Sequence, residues 1–430
     1  MFLTVLFVTL LTWQFASLQA LPRHQVNLFE NDPEMFLNAT QIILSRGYQT
    51  EEHTLVTSDQ YILTMNRILP GKTQPANGKV IFLQHGLLDS AHTWINNPSN
   101  QSLGFILADH GYDVWLSNSR GSTYSQKHVK YDKKTLNFWE FSWDEMVYYD
   151  LPAMIDYILN RTAVEQIYYV GHSQGTEIFF AHMNQFPESQ SRIKAMVALA
   201  PVAYLGNVES PIHYMSPFCQ ELGSLVEWFG VGEFLPSNKL IKFLAMALCE
   251  KDEVPLVCSN IIYLLAGFDK ANTNKLLSET AVRVFGGERP SIGPPGPSEG
   301  RATPNTLTAV SPKHSNSGTR LPIYVSHTPA GTSVQNIIHY CQSMNTGKFQ
   351  HFDFGHEGNM ERYGQPTAPA YGLGLIKTPM AVFWGGKDWM ASPKDVRKTL
   401  EELGDTVRMD QFYPNYNHLD FVWGMDAAQK

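Results

Sequence analysis

The chain contains 430 residues, of which 43% are hydrophobic and 17% are charged, and its formal net charge at pH 7 is −8. A chain of this length can bury a large core and still has room for an accessory domain. The hydrophobic content excludes a disordered protein. Because acidic residues outnumber basic ones, nothing suggests nucleic acid as a partner.

The N-terminus predicts a signal peptide over residues 1–20. A short apolar run fills most of residues 1–18, and small residues follow up to Ala20. This run is too short and too early for a spanning helix that precedes a lumenal body. An uncleaved N-terminal anchor is the alternative, since no Lys or Arg precedes the apolar run. No later apolar run is long enough to span a bilayer, so we expect a secreted protein without a transmembrane span.

Three N-glycosylation sequons in the sequence are relevant because we expect the protein to be secreted. Asn38, Asn100 and Asn160 each begin an Asn-x-Ser/Thr triplet, whereas a proline blocks the triplet that begins at Asn97. These triplets are acceptors for N-linked glycans in proteins that pass through the secretory pathway. We therefore expect glycosylation at Asn38, Asn100 and Asn160.

Four cysteines allow three full pairings in a secreted chain. Cys249 and Cys258 are close enough in sequence to form a small disulfide between two apolar segments, and such a bridge typically contributes a few kcal/mol. For Cys219 and Cys341 the sequence leaves two alternatives: two separate buried thiols or a second disulfide.

The first half of the chain alternates between strands and helices. The predicted strands are a hairpin over residues 51–67 and single strands over residues 79–84, 112–116, 167–170 and 195–200. The predicted helices cover residues 38–46, 105–110, 143–159 and 176–186. Alternation with short connections indicates an α/β fold with a mostly parallel central sheet and helices on both faces.

The pattern changes after residue 203. Residues 204–268 are apolar and helical in pattern with few strands, so we interpret them as part of a largely helical cap; an ordinary helical insertion is the alternative. Residues 286–318 are rich in Pro, Gly and Ser and have almost no large apolar side chains, which predicts disorder. A helix is predicted over residues 331–341, and strands return at residues 380–384 and 407–412. The predicted domains are therefore a core of residues 21–203 and 373–430 and a cap of residues 204–372.

A candidate nucleophile lies between a predicted strand and a predicted helix. Residues 171–175 read Gly-His-Ser-Gln-Gly, which is the Gly-x-Ser-x-Gly pattern of a nucleophile elbow. The sharp turn leaves no room for side chains at positions 171 and 175, and it holds Ser173 in a strained conformation with its hydroxyl exposed. The pattern alone is weak, so the rest of the chain must supply a base, an acid and an oxyanion hole.

Asp388 and His418 follow Ser173 in the order that α/β-hydrolases use for the acid and the base. Asp388 lies four residues after the predicted strand that ends at Trp384, and His418 lies in the loop after the last predicted strand. The base takes the proton of the serine, and the acid fixes the tautomer of the base. Asp420 and Asp353 are the competing acids, and we expect Asp420 to cap the last helix instead.

The oxyanion hole requires two backbone N–H groups that face the developing charge. One comes from the residue after the nucleophile, Gln174, and the other from the loop after an early strand, for which we choose Leu87. We interpret His85 in that loop as a packing residue without proton chemistry. No histidine spacing or glycine-rich phosphate loop indicates a metal site or a cofactor, so we expect neither.

With these residues, the sequence resembles the acid lipase family that includes gastric lipase and lysosomal acid lipase. The similar segments include Gln-His-Gly-Leu-Leu at 84–88, Asn-Ser-Arg-Gly at 118–121, the elbow at 168–175, Thr-Pro-Ala-Gly-Thr-Ser-Val-Gln-Asn at 328–336, Gly-Gly-Lys-Asp at 385–388 and Asn-His-Leu-Asp-Phe at 417–421. The family has no Pro/Gly tract like residues 286–318, and its members continue their last helix where this sequence stops, twelve residues after His418.

The resemblance implies an α/β-hydrolase fold and a triad of Ser173, Asp388 and His418. It also implies oxyanion donors at Leu87 and Gln174, and a Cys249–Cys258 disulfide in a cap with a lid that moves at a lipid surface. We therefore expect a serine lipase that cleaves triacylglycerols or sterol esters through an acyl-enzyme at a lipid–water interface. The protein would be secreted or, alternatively, lysosomal. A lipid-binding protein or an inactive isoform on a lipase scaffold is the alternative function.

Overall fold

The structure is a computed structural model that describes residues 32–219, 232–235 and 320–429. The chain divides into two compact units, residues 1–33 and residues 34–430, and the sheet and the candidate site belong to the second. The predicted signal peptide at residues 1–20, the predicted Cys249–Cys258 disulfide and the Pro/Gly-rich residues 286–318 lie outside the described residues.

A nine-stranded sheet forms the centre of the described part of the second unit. The strands of the structure are β1 (Thr50–Val56), β2 (Tyr61–Ile68), β3 (Val80–Gln84), β4 (Asp113–Ser117), β5 (Lys127–His128), β6 (Ile167–His172), β7 (Ile193–Leu199), β8 (Glu233–Phe234), β9 (Thr332–Ser333), β10 (Met380–Gly385) and β11 (Val407–Tyr413). The sheet order is β1-β2-β4-β3-β6-β7-β10-β11, with β5 beside β2, while β8 and β9 form a separate pair.

All neighbours from β4 to β11 in the sheet are parallel, and the hairpin β1–β2 adds antiparallel strands at one edge. Every residue of β3 is buried, because helices and loops cover both faces of the parallel part, whereas burial alternates along β1. The register places Gln84 beside Gly171, so that β3 and β6 end at the same edge. These features confirm the predicted mostly parallel α/β sheet.

Helices lie between the strands at the predicted places. They are α1 (Ala39–Ser45), α2 (Leu103–Asp109), α3 (Trp143–Glu145), α4 (Leu151–Thr162), α5 (Gln174–Gln185), α6 (Leu321–His327), α7 (Val334–Thr346), α8 (Gly355–Tyr363), α9 (Pro393–Leu403) and α10 (Asp420–Trp423). Short 3₁₀ segments cover Pro33–Phe36, Ala91–Trp94, Leu136–Phe138, Pro187–Arg192, Pro211–Phe218, Gly404–Thr406 and Ala427–Gln429. None of the helices in the described ranges is long and apolar enough to cross a membrane.

Two predicted helices differ in detail from the structure. The helix predicted over residues 143–159 contains a π-helical segment, Met146–Asp150, which joins α3 to α4. The helix predicted to begin at residue 331 begins at Val334, because residues 332–333 form β9 and pair with β8. Ser333 then accepts a hydrogen bond from the N–H of Asn336 and caps α7.

Cys219 and Cys341 form a disulfide with a Cα–Cα distance of 6.2 Å. The sequence left two separate thiols and a second bridge open, and the structure selects the bridge. Cys219 directly follows the 3₁₀ segment Pro211–Phe218, and Cys341 lies within α7. The disulfide therefore fixes the first residues of the predicted cap to one of its later helices.

A buried ion cluster fixes the segment that follows β4. The guanidinium group of Arg120 is fully buried and lies 2.7 Å from carboxylate oxygens of both Asp59 and Asp150. Asp150 is also fully buried, and it accepts the backbone N–H of Arg120 at 3.0 Å. Burial opposes the charged guanidinium, but the two carboxylates outweigh it and raise the pKa of Arg120 above its ordinary value.

Candidate active site

Ser173 occupies a tight turn between β6 and α5. Its backbone has φ 53° and ψ −119°, a conformation that L-residues rarely adopt. A Cβ atom on Gly171 would lie 2.7 Å from the carbonyl carbon and oxygen of Gly175, and one on Gly175 would lie 2.4 Å from the carbonyl oxygen of Gln84. Both positions therefore require glycine, as the turn geometry of a nucleophile elbow predicts.

The structure brings Ser173, His418 and Asp388 together from three loops at the same edge of the sheet. The Ser173 hydroxyl lies 2.8 Å from Nε2 of His418. Nδ1 of His418 lies 3.0 Å and 2.9 Å from the two carboxylate oxygens of Asp388. Since a carboxylate only accepts, Nδ1 carries the imidazole proton and Nε2 is left to accept the proton of the serine.

The loop after β10 holds the carboxylate of Asp388 in place. Oδ1 of Asp388 accepts the backbone N–H groups of Met390 at 2.9 Å and Ala391 at 2.7 Å. The side chain is almost fully buried. These hydrogen bonds fix the carboxylate independently of His418. The orientation of the carboxylate therefore does not depend on its contact with the imidazole.

Two consecutive glycines let the loop of Asp388 pack against the loop of His418. A Cβ atom on Gly385 would lie 2.2 Å from the carbonyl oxygen of Tyr416, and one on Gly386 would lie 2.5 Å from that of Pro414. The backbone N–H of Gly386 also donates to the Tyr413 carbonyl at 2.9 Å. Close backbone contact between the two loops sets the distance between Asp388 and His418.

Asp420 does not cap the last helix, and that expectation is wrong. Helix α10 begins at Asp420 itself, so Leu419 and not Asp420 occupies the N-cap position. Its carboxylate instead accepts the N–H of Asn417 at 2.7 Å, while Oδ1 of Asn417 accepts the N–H groups of Leu419 at 2.9 Å and Asp420 at 3.1 Å. This reciprocal pair closes the turn that contains His418. Asp353, the other competing acid, instead binds Gly355 and Asn359.

His172 is a site residue that the sequence interpretation missed. Its Nε2 donates to the backbone carbonyl of His418 at 2.9 Å, and its ring is almost fully buried. Burial, together with the nearby His418, lowers the pKa of His172 to about 3, so its imidazole is neutral. The only local signal was its position beside the nucleophile, because the contact joins residues 246 positions apart.

The loop after β3 approaches Ser173 from the other side. A Cβ atom on Gly86 would lie 3.1 Å from Cβ of Ser173, which places the backbone of this loop against the nucleophile. Leu88 adopts a left-handed conformation with φ 61°. Within the part of the chain that the structure describes, the N–H groups of Leu87 and Gln174 donate no hydrogen bond.

His85 fixes the shape of this loop. Its Nδ1 donates to the carbonyl of Gly86 at 2.8 Å, and its Nε2 accepts the N–H of Ser119 at 3.0 Å. One ring nitrogen therefore donates while the other accepts, which requires a neutral imidazole. Burial lowers the pKa of His85 to about 4, consistent with this tautomer and with the packing role that the sequence indicated.

Two further predictions, glycosylation and the lack of a metal site, concern groups outside this site. The three sequon asparagines, Asn38, Asn100 and Asn160, are all exposed, although Asn38 also accepts the N–H of Gln41 and caps α1. Among the described residues, no three His, Cys, Asp or Glu side chains are grouped so that they could hold a metal ion.

Comparisons with known proteins place this chain in a family. A model described as a partial alpha/beta-hydrolase lipase region matches residues 39–98, and one described as the alpha/beta hydrolase fold matches residues 79–229. The crystal structure of a candidate lipase from Sulfolobus solfataricus covers 88% of this chain and 90% of its own, with a TM-score of 0.50 and 14% identity, a likeness of fold alone.

Two human enzymes are similar along almost the whole chain. Human gastric triacylglycerol lipase is 40% identical over 407 residues, which cover 94% of this chain and 91% of that enzyme. Human lysosomal acid lipase/cholesteryl ester hydrolase is 39% identical over 400 residues, which cover 92% and 89%. Identity at this level over this length establishes common ancestry and a common fold.

Proposed function

The chain belongs to the acid lipase family of α/β-hydrolases and is a carboxylic ester hydrolase, and we propose that Ser173, His418 and Asp388 are its catalytic triad. The observation that carries the proposal is the continuous hydrogen-bonded path from the Ser173 hydroxyl through both nitrogens of His418 to Asp388. This is the relationship that a serine nucleophile needs, since its hydroxyl is a weak nucleophile without an adjacent base.

The reaction follows from these contacts. Oγ of Ser173 attacks the carbonyl carbon of the ester while Nε2 of His418 takes the hydroxyl proton, and a tetrahedral intermediate forms. The C–O bond to the alcohol then breaks, and His418 returns the proton to the leaving alkoxide, which leaves an acyl-enzyme on Ser173. Water attacks the acyl-enzyme by the same route, with His418 as base, and releases the fatty acid.

Asp388 has two functions in this scheme. It holds His418 in the tautomer with the proton on Nδ1, and its negative charge stabilises the imidazolium that forms when the serine proton is taken. The N–H groups of Met390 and Ala391 keep the carboxylate oriented during both half-reactions.

The backbone N–H groups of Leu87 and Gln174 are the oxyanion donors in this proposal. Both belong to segments that meet at Ser173, and neither donates within the described residues, so both are available to a substrate oxygen. In a serine protease, removal of one such donor lowers turnover by about 10²- to 10³-fold. The side chains at positions 87 and 174 act by setting where these backbone groups lie.

The proposed substrates are fatty acyl esters, either triacylglycerols or sterol esters, at a lipid–water interface. Two relatives support this choice of substrates, because one is a triacylglycerol lipase and the other is a cholesteryl ester hydrolase. We also propose that residues 204–372 form a cap over Ser173 and that the enzyme is glycosylated at Asn38, Asn100 and Asn160. It acts as a secreted or a lysosomal enzyme, as the gastric and lysosomal relatives suggest.

The test is the hydrolysis of triacylglycerol and cholesteryl ester emulsions by the wild-type chain and by Ser173→Ala. The variant removes the nucleophile without adding volume, so we expect nearly all hydrolysis to be lost while the circular dichroism spectrum is unchanged. Ser191→Ala is the matched control, because Ser191 is exposed and its hydroxyl bonds only the carbonyl of Glu188. Hydrolysis by Ser173→Ala at the wild-type rate would overturn the assignment, and lipid binding without any hydrolysis by the wild type would favour a carrier.

A further inference from the structure

One helix of the predicted cap, α7, contacts both residues that we propose as oxyanion donors. The amide of Gln174 donates towards Oδ1 of Asn336 at 3.5 Å. The side chain of Leu87 packs against a small cluster formed by Ile337 and the Cys219–Cys341 disulfide. Ile337 and Cys341 are four residues apart and share a face of α7, and Asn336 precedes Ile337, so neighbouring side chains of α7 reach the two segments that meet at Ser173.

Asn336 is itself fixed, which makes it a firm contact for Gln174. It is fully buried, and its Nδ2 donates to Oγ1 of Thr332 at 3.0 Å. Its backbone N–H donates to Oγ of Ser333, the cap of α7, at 2.9 Å. The rotamer of Asn336 is therefore set by the start of α7 and not by Gln174.

Tyr340 lies one turn further along α7 and links it to α5. Its hydroxyl donates a hydrogen bond to Oε2 of Glu177. Burial and the neighbouring Glu177 raise the pKa of Tyr340 well above its ordinary value, and the side chain of Gln174 opposes this shift. Glu177 is fully buried and lies one turn after Gln174 on α5. Its other oxygen, Oε1, has no hydrogen-bond partner among the described residues.

The surroundings of Glu177 favour its protonated form. Burial raises the pKa of Glu177 to about 8; the hydrogen bond from Tyr340 opposes this shift, and the negative charge of Asp144 on α3 adds to it. Burial alone would raise the pKa of Asp144 too, but His339 and His351 lower it below its ordinary value, so Asp144 is ionised. The groups that shift the pKa of Glu177 are therefore a phenol and a carboxylate, and neither of them supplies positive charge that would stabilise an ionised Glu177.

We propose that Tyr340 and the carboxyl group of Glu177 are positioning residues that hold Gln174 so that its backbone N–H faces the acyl oxygen of the ester. This rests on the proposed function of the Gln174 N–H. Tyr340 does not touch the substrate; it connects the fixed face of α7 to the first turn of α5, where Gln174 lies. A displacement of that turn by a fraction of an ångström weakens a hydrogen bond that strengthens only in the transition state, and so it lowers kcat more than it changes KM.

Ionisation of Glu177 would add an electrostatic effect of the same sign. A carboxylate one helical turn from Gln174 places negative charge near the oxygen that becomes negative in the tetrahedral intermediate. Like charges in a buried site repel strongly, so turnover should fall as the pH rises through the range in which Glu177 loses its proton. Replacement by glutamine keeps an acceptor for the Tyr340 hydroxyl and removes the titration.

The experiment measures kcat and KM for a soluble short-chain p-nitrophenyl ester from pH 5 to pH 9.5, after subtraction of spontaneous hydrolysis. For Tyr340→Phe we expect kcat to fall about tenfold at pH 6 with KM nearly unchanged. For Glu177→Gln we expect kcat above pH 8 to persist where the wild-type value declines. Tyr363→Phe is the matched control, because the Tyr363 hydroxyl also donates one hydrogen bond, in this case to the backbone carbonyl of Phe352 and not to a residue of α5.

The outcomes separate the two proposals. If the wild-type chain hydrolyses no ester, the proposed function fails. If it hydrolyses esters and Tyr340→Phe keeps its kcat, or Glu177→Gln declines above pH 8 as the wild type does, the positioning role fails. Thermal unfolding at pH 6 identifies simple destabilisation: if Tyr340→Phe is partly unfolded at the assay temperature, its loss of kcat reflects unfolding and the positioning role fails.

Discussion

His172 donates a hydrogen bond from Nε2 to the backbone carbonyl oxygen of His418 at 2.9 Å. The residue that precedes the proposed nucleophile in sequence thus holds the backbone of the proposed base. The two rings also lie with their centroids 5.1 Å apart. This hydrogen bond joins the loop of His418 to the tight turn at Ser173, and burial keeps the donating imidazole neutral by lowering the pKa of His172.

This relationship predicts a dependence of stability on acid pH. The folded-state pKa of His172 is about 3, below the ordinary value of 6.5, so the unfolded chain binds a proton that the folded chain does not. The contribution is fully present above pH 6.5 and is lost as the pH falls towards 3, by up to about 1.4 kcal/mol per pH unit. Glutamine at position 172 retains an N–H donor without this titration.

We therefore expect His172→Gln to lose less stability than the wild type between pH 6.5 and pH 4. The free energy of unfolding in urea at several pH values measures the difference. His110→Gln is the control, because His110 is exposed and lies far along the chain from the site. Parallel stability curves for the wild type and His172→Gln would show that His172 is not held neutral.

Asp388→Asn tests the role of the acid. The asparagine can still accept the N–H groups of Met390 and Ala391, so the loop should survive, but its amide cannot accept from Nδ1 of His418 in the same way as a carboxylate. The imidazole would favour the wrong tautomer, and kcat should fall by about 10⁴-fold. Steady-state kinetics with a soluble ester measures this, and a loss of less than tenfold would mean that another group orients His418.

Gly175→Ala tests the packing of the elbow. Its new Cβ would lie 2.4 Å from the backbone carbonyl oxygen of Gln84, which cannot move without disturbing β3. We expect lost activity and a stability loss of several kcal/mol or no folded protein, since overpacking of this kind typically costs 1–3 kcal/mol or more. Gly374→Ala is the matched control because no atom lies within 4 Å of its added Cβ. Equal thermal stability of the two variants would contradict the geometry of the turn.

Arg120→Met tests the buried ion cluster behind β4. It leaves the buried carboxylate of Asp150 without its cation, and such a loss typically destabilises a protein by about 3–5 kcal/mol. Arg192→Met removes the exposed ion pair with Asp156, whose side chains are 43% and 51% exposed, and should cost about 0–1 kcal/mol. Chemical denaturation of both variants measures the contrast, and a similar small loss in both would show that Arg120 is not essential to the fold.

The sequence predicted the elements whose signal is local. The apolar runs of β3, β6 and β10 identified buried parallel strands, and the glycines around Ser173 identified the elbow, because strand burial and turn sterics are properties of neighbouring residues. Chain order and strand ends then sufficed to choose Asp388 and His418. The structure places both next to Ser173.

Contacts between distant segments could not be predicted in this way. Cys219 and Cys341 are separated by 122 residues, and no pattern in one chain chooses among the pairings of four cysteines. The hydrogen bonds of His172 and of Glu177 likewise join helices and loops that only the tertiary fold brings together. Asp420 was misassigned because the sequence shows that it is near His418 but not which way the turn closes.

The assignment of Ser173 as the nucleophile is tested most directly by identifying the residue that a fluorophosphonate modifies. The reagent mimics the acyl carbonyl and stays covalently bound to an activated serine, so mass spectrometry of peptides from the labelled full-length chain locates it. We expect one modified peptide, the one that contains Ser173, and no modification in Ser173→Ala. A folded, ester-hydrolysing protein that is labelled at another residue, or not labelled at all, would contradict it.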